Sequence, residues 1–183
     1  MKQLLFLIVY FCFFTIDALP PSNNLLYKDF LVWSNDKKLE WNNFKGTPVE
    51  NAAEVAMTAS SVELNYNTNA KTLNWTVTPK FFPKLSWVKS PLKSAYILQH
   101  EQLHFDITEL YARILRKQLT ENIHSVNDLQ QLQRIGRSIF KQWQEEENKY
   151  DIETNHSVDK EQQLLWQNNI KERLEELSAF ATQ

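Results

Sequence analysis

The chain has a single cysteine, Cys12, and it falls in the apolar stretch at the start of the sequence. With no second thiol, a disulfide scaffold is excluded. Glycine is almost as scarce: two residues in 183 leave no material for the glycine-rich loops that cradle phosphates. Neither sign of charge dominates. The 20 Lys and Arg residues are intermixed with 22 Asp and Glu residues, for a net charge of −2. No basic stripe interleaves with aromatics, so nucleic acid is not an expected partner. Long apolar runs are missing too. The longest, 4–16, is short of the ~20 residues that a membrane-spanning helix needs.

What is present begins with that run. Met1-Lys2 is a minimal positive start, residues 4–16 are mostly apolar, and Thr15-Ile16-Asp17-Ala18 offers a cleavage point after Ala18. Residues 1–18 therefore read as a secretory signal peptide, which predicts an exported protein, periplasmic or extracellular. The bulky Tyr10-Phe11 pair before Cys12 argues against lipid attachment. Residues 19–26, with Pro20, Pro21, Ser22, Asn23 and Asn24, read as a tether. The remainder, 27–183, suits one domain with one core, expected to be a monomer with no membrane span once the signal is removed.

Two periodicities divide that domain. Val55, Met57 and Ala59 alternate, and after Ser60-Ser61 the phase moves to Val62, Leu64 and Tyr66, which predicts a bulge or bend. Leu73, Trp75 and Val77 alternate with Asn74, Thr76 and Thr78 as a half-buried strand, ended by Pro79 and Pro83. From residue 90 the period is helical. Ser90-Pro91 predicts a helix start, with a stripe from Tyr96 through Ile114 and an end near Lys117. Ser125 is the expected cap of a second helix, and Ser157 of a third carrying Trp166, Ile170 and Leu174. The prediction is an α+β domain: a small antiparallel sheet of three to four strands, followed by three main helices.

The first helix carries His100-Glu101-Gln102-Leu103-His104. At about 100° per residue the two imidazoles lie about 40° apart on one face, one turn from each other, where both can grip one zinc ion. Glu101 sits alongside, placed to act as the general base for a zinc-activated water. Glu109 lies about 180° round from His100, and Asp106 is off the metal face as well, so neither can be a ligand on a regular helix. Glu109 is instead four residues from Arg113, the spacing of a helical ion pair. A catalytic zinc needs a third protein ligand. The candidates are His156, then Asp151 or Glu153, then His124, with His156 favoured for its place between two capped helices. Tyr150 is a candidate to stabilise the transition state by donating to an oxyanion.

The stretch from Tyr96 to Arg113 closely resembles the signature helix of a bacterial family of predicted secreted zinc-dependent proteases, domain of unknown function 922, grouped with the HExxH metallopeptidases. Leu39-Glu40-Trp41, Phe44-Lys45-Gly46, Ser86-Trp87-Val88-Lys89 and Tyr150-Asp151-Ile152-Glu153-Thr154-Asn155-His156 are similar to its recurring segments. The resemblance spans most of 39–170. It implies a zincin-like fold, His100 and His104 as zinc ligands, Glu101 as base, and His156 as a recurrent position that completes the site. The family usually carries glycine after that histidine, where this chain has Ser157, and Leu103 stands at a position that is often small. Ile107 and Leu110 exclude the metzincin pattern, whose glycine and third histidine would stand there.

These readings converge on an exported zinc metallopeptidase acting on a peptide or protein substrate, with the segment 55–64 as a strand edge for an extended peptide. Two other readings are compatible with the motif. One is a non-catalytic, metal-stabilised envelope module. The other is a zinc amidase acting on cell-wall cross-links, with Trp33 or Trp87 as an exposed platform.

Overall fold

The structure is a computed structural model, and it describes residues 2–5 and 27–181. The expected cleavage point and tether lie outside the described residues. The strands are β1 (Lys2–Leu5), β2 (Leu31–Val32), β3 (Ala56–Met57), β4 (Ser60–Thr68), β5 (Leu73–Phe81) and β6 (Trp87–Val88); the helices are α1 (Ala95–Asn122), α2 (Leu129–Glu153) and α3 (Lys160–Glu176). The fold is α+β, as the change of period predicts.

β4 and β5 form one long antiparallel hairpin, from Ser60↔Phe81 to Thr68↔Leu73. Its turn is closed by Asn69, whose Oδ1 accepts from the amides of Lys71 and Thr72 at 2.8 and 2.9 Å. β2 lies along β5, completing a three-stranded antiparallel sheet, and Lys2–Leu5 of the leading segment runs along the other edge of β4. Pro79 does not end β5, contrary to expectation. β2 reaches only Phe81 and Lys80, so at Pro79 the outer side of β5 is an edge and a missing N–H there leaves no ladder bond unmade.

The phase shift at Ser60-Ser61 marks a corner rather than a bulge. β3 pairs with β6 in a separate two-stranded sheet, and Thr58 and Ala59 carry the chain from it into β4. The corner is pinned from both sides. The Phe82 amide donates to the Ala59 carbonyl at 2.9 Å, and the Ala59 amide donates to Ser86 Oγ, also at 2.9 Å. Gly46 presses on the same place: its amide meets the Ser86 carbonyl at 2.8 Å, and a Cβ there would stand 2.9 Å from that oxygen. Only glycine fits such a backbone approach.

α1 is the central element. It lies between the sheet and the other two helices, and its buried residues run from His100 to Leu119 round most of its surface. Val62, Leu64 and Val77 from the sheet, Leu103, Ile107 and Leu110 from α1, Trp143 from α2 and Trp166 and Ile170 from α3 make one continuous core. The helix starts at Ala95, later than the Ser90-Pro91 signal predicts. Residues Ser90–Leu92 form a single 3-10 turn, and Ser94 caps α1 by accepting from the Ile97 amide at 3.1 Å. The third helix is likewise capped by Asp159 rather than Ser157. Asn155, His156 and Ser157 all have positive φ, at 47°, 50° and 72°, and form a left-handed link between α2 and α3. Among the described residues no helix is long and apolar enough to cross a membrane.

Candidate metal centre

Two consecutive turns of α1 bring the rings of His100 and His104 together, with their Nε2 atoms 3.3 Å apart. The last turn of α2 adds Asp151, whose Oδ1 is 3.2 Å from His100 Nε2 and 3.1 Å from His104 Nε2. Three donor atoms on a tetrahedral zinc, at about 2.0–2.1 Å each, would be separated by about 3.3 Å. The observed triangle has that size. His100, His104 and Asp151 are the one metal-capable cluster of histidine, cysteine or acid side chains among the described residues.

The outer partners set which way these rings point. His100 Nδ1 faces Gln163 Oε1 at 3.0 Å, and His104 Nδ1 faces Glu147 Oε2 at 2.5 Å. The Glu147 carboxylate and the Gln163 amide oxygen are acceptors, so rings that donate to them through Nδ1 would turn an unprotonated Nε2 inward, as a metal ligand requires. Two nitrogen lone pairs and a carboxylate oxygen then face one another. That arrangement needs a cation at its centre, whether a proton or a metal. The electrostatics of the cluster point the same way. Burial disfavours the charged form of His104, but the carboxylates of Asp151 and Glu147 outweigh it and hold its pKa well above the ordinary value. Burial also works against ionised Asp151, yet the two imidazoles hold its pKa far below the carboxylate range. The donor set, one carboxylate and two imidazoles, suits zinc.

Glu101 is buried in the same wall, next to the cluster. Thr58 Oγ1, from the corner between β3 and β4, donates to its Oε2 at 2.7 Å. Burial raises the Glu101 pKa against the pull of His104, His100 and the Thr58 hydroxyl. A carboxylate held this way is a better proton acceptor than an exposed one. Glu101 lines a cavity together with apolar Val49, Ala56, Leu85, Trp87 and Ile97 and with Asp151 and the two histidines.

The other predicted residues fall differently. His156 lines the cavity but stands outside the cluster of three, with a half-exposed side chain and its Nδ1 3.8 Å from Asp151 Oδ1. The third position of the cluster goes to Asp151, because the last turn of α2 carries it inward while the left-handed link carries His156 to the rim. Glu153 instead accepts from Trp166 Nε1 at 2.9 Å, and His124 sits at the far end of α1. Tyr150 does not reach the cavity. It is fully buried and stacked on His100 at 4.7 Å, with its hydroxyl 2.7 Å from Gln163 Oε1 and 3.3 Å from the His100 carbonyl. Its phenol is therefore committed to packing and support, and it is not offered as an oxyanion donor. Trp87 is buried; Trp33 is half-buried, donating from Nε1 to Asp106 at 2.6 Å, with Lys38 and Arg113 over its ring. The expected ion pair of Glu109 with Arg113 is present at 2.7 Å.

Three supporting residues escape sequence reasoning: Thr58, Glu147 and Gln163. Glu147 had a signal, since it stands one helical turn before Asp151 and so shares its face. It also accepts from Trp143 Nε1 at 2.9 Å. Thr58 and Gln163 reach the site only through the tertiary fold and left no local mark.

Residues 38–157 match the family described as "Bacterial protein of unknown function (DUF922)". That span takes in His100, Glu101, His104, Glu147 and Asp151 and stops short of Gln163. No curated protein matches the chain, and no solved structure does either.

Proposed function

The chain belongs to that bacterial family, DUF922, and within it we propose that this protein is an exported zinc-dependent metallopeptidase. The observation that carries the reading is the triangle of His100 Nε2, His104 Nε2 and Asp151 Oδ1, of tetrahedral size, with a buried carboxylate beside it. These three residues would hold the ion, with Asp151 in the place that the sequence favours for His156. When bound, zinc supplies Lewis acidity, which polarises a scissile carbonyl and lowers the pKa of water.

The chain's own residues supply the rest. Glu101 takes a proton from the attacking water as its oxygen bonds to the carbonyl carbon. It then returns that proton to the departing amine nitrogen as the C–N bond breaks. Thr58 keeps Oε2 of Glu101 occupied, so the other carboxylate oxygen is the one presented to water. Glu147, facing His104 Nδ1, keeps the lone pair of that ring turned inward. The apolar walls exclude bulk water and strengthen the electrostatics at the reacting bond. Export is part of the same reading and is supported by the apolar segment 4–16. The zincin-like fold is also part of it, supported by the pair of histidines on a central helix beside a small sheet.

Glu101→Gln tests the reading. Zinc content should stay at the wild-type level while hydrolysis of a mixed protein or peptide substrate falls by about 10²–10⁴. Near-normal turnover in this variant would remove Glu101 as the base.

A further inference from the structure

Gln163 lies in the first turn of α3, past the end of the segment that matches the family, and is 1% exposed. Its Oε1 meets two donors, His100 Nδ1 at 3.0 Å and the Tyr150 hydroxyl at 2.7 Å. Its Nε2 is buried and has no hydrogen-bond partner. A buried amide nitrogen left unpaired costs about 1–3 kcal/mol, and an aliphatic side chain at this place would avoid that cost. A residue kept for packing alone would not be glutamine. What glutamine adds is the acceptor oxygen, which is shared between the Tyr150 hydroxyl and the His100 ring.

We propose that Gln163 is a positioning residue that fixes His100 as the Nδ1–H tautomer and so turns the Nε2 lone pair toward Asp151 and His104. This rests on the metal reading above. The two histidines are then supported unequally, His104 by the carboxyl group of Glu147 and His100 by an amide. A carboxylate partner makes an imidazole a stronger donor than an amide does. The neutral choice also avoids a further buried negative charge beside Glu101, Glu147 and Asp151. Helix α3 thereby becomes part of the site: the Asp159 cap and Trp166 packed on Tyr150 hold the turn from which Gln163 reaches His100.

The test compares the full chain with Gln163→Met, which keeps length and removes the oxygen, and Gln163→Glu, which keeps an acceptor. Long-range proton–nitrogen NMR on ¹⁵N-histidine-labelled protein reads the tautomer of His100, with and without zinc. Zinc competition with a chromophoric chelator reads affinity. In wild type and Gln163→Glu, His100 should be protonated at Nδ1. In zinc-free Gln163→Met the His100 tautomers should mix while His104 stays unchanged, and zinc affinity should fall about 10- to 100-fold. A zinc-free wild-type His100 protonated at Nε2, or a Gln163→Met variant with unchanged zinc-free tautomer and unchanged affinity, overturns the proposal. If Gln163→Met fails to fold, Gln163→Glu decides through the same spectrum, since loss of the Nδ1–H form there contradicts an acceptor role. A wild-type chain that binds no zinc would remove the metal reading, while the zinc-free spectra would still decide the role of Gln163.

Discussion

Asp151 is the residue on which the site turns, because its Oδ1 is within 3.2 Å of both ring nitrogens while His156 approaches only the carboxylate. The two residues predict different losses. Asp151→Asn removes the anionic donor and should weaken zinc binding by more than about 100-fold, beyond the loss typical of an outer partner. His156→Ala should weaken it by less than about 10-fold. Isothermal titration of zinc into each variant measures both, and a reversed order would restore His156 to the third place. Ser157 adds a separate prediction. Its φ of 72° lies in the left-handed region, where a side chain costs about 1–2 kcal/mol. Ser157→Gly should therefore raise stability by about 1 kcal/mol in urea unfolding. No gain would mean that the link is not strained at that residue.

Among the elements, α1, α2 and α3 are tied by a polar network of residues that do not line the cavity. Glu146 on α2 accepts from Tyr111 on α1 and from Arg173 on α3. Burial would raise the Glu146 pKa, but the hydrogen bonds from Arg173 and Tyr111 outweigh it and leave the pKa below the ordinary value. A depressed carboxylate pKa contributes stability that is fully present above the unfolded-state value and is lost as pH falls through the folded-state value. Glu146→Gln should cost about 2 kcal/mol at neutral pH and less as the solution is acidified. Urea melts at neutral and acidic pH would read this, and a cost independent of pH would contradict it.

How much of this was legible in the sequence also divides by element. The helices announced themselves by period and the hairpin by alternation, because those signals are local. The sequence signals place the starts of α1 and α3 too early, because Ser90 and Ser157 carry cap-forming side chains but the chain reaches helical geometry only after Ser94 and Asp159. On one helix, His100, Glu101 and His104 could be read directly. The partners that complete the centre come from a strand corner, the end of α2 and the start of α3, and only folding brings them within reach.

At the scale of the molecule, the cluster staples α1 to α2, and Gln163 extends the staple to α3. A metal bound only by the folded state stabilises it by mass action, by about 4 kcal/mol at a free concentration a thousandfold above Kd. For a chain of this size that corresponds to a rise in Tm of roughly 10 °C. The whole account stands on a cation at this place, and the most direct check is the zinc content of the purified chain by elemental analysis, beside His100→Ala and Asp151→Asn. One zinc per wild-type chain, lost in both variants while the fold persists, is the predicted result. A folded wild-type chain that neither carries nor takes up zinc, or variants that hold it as firmly as wild type, would contradict the account.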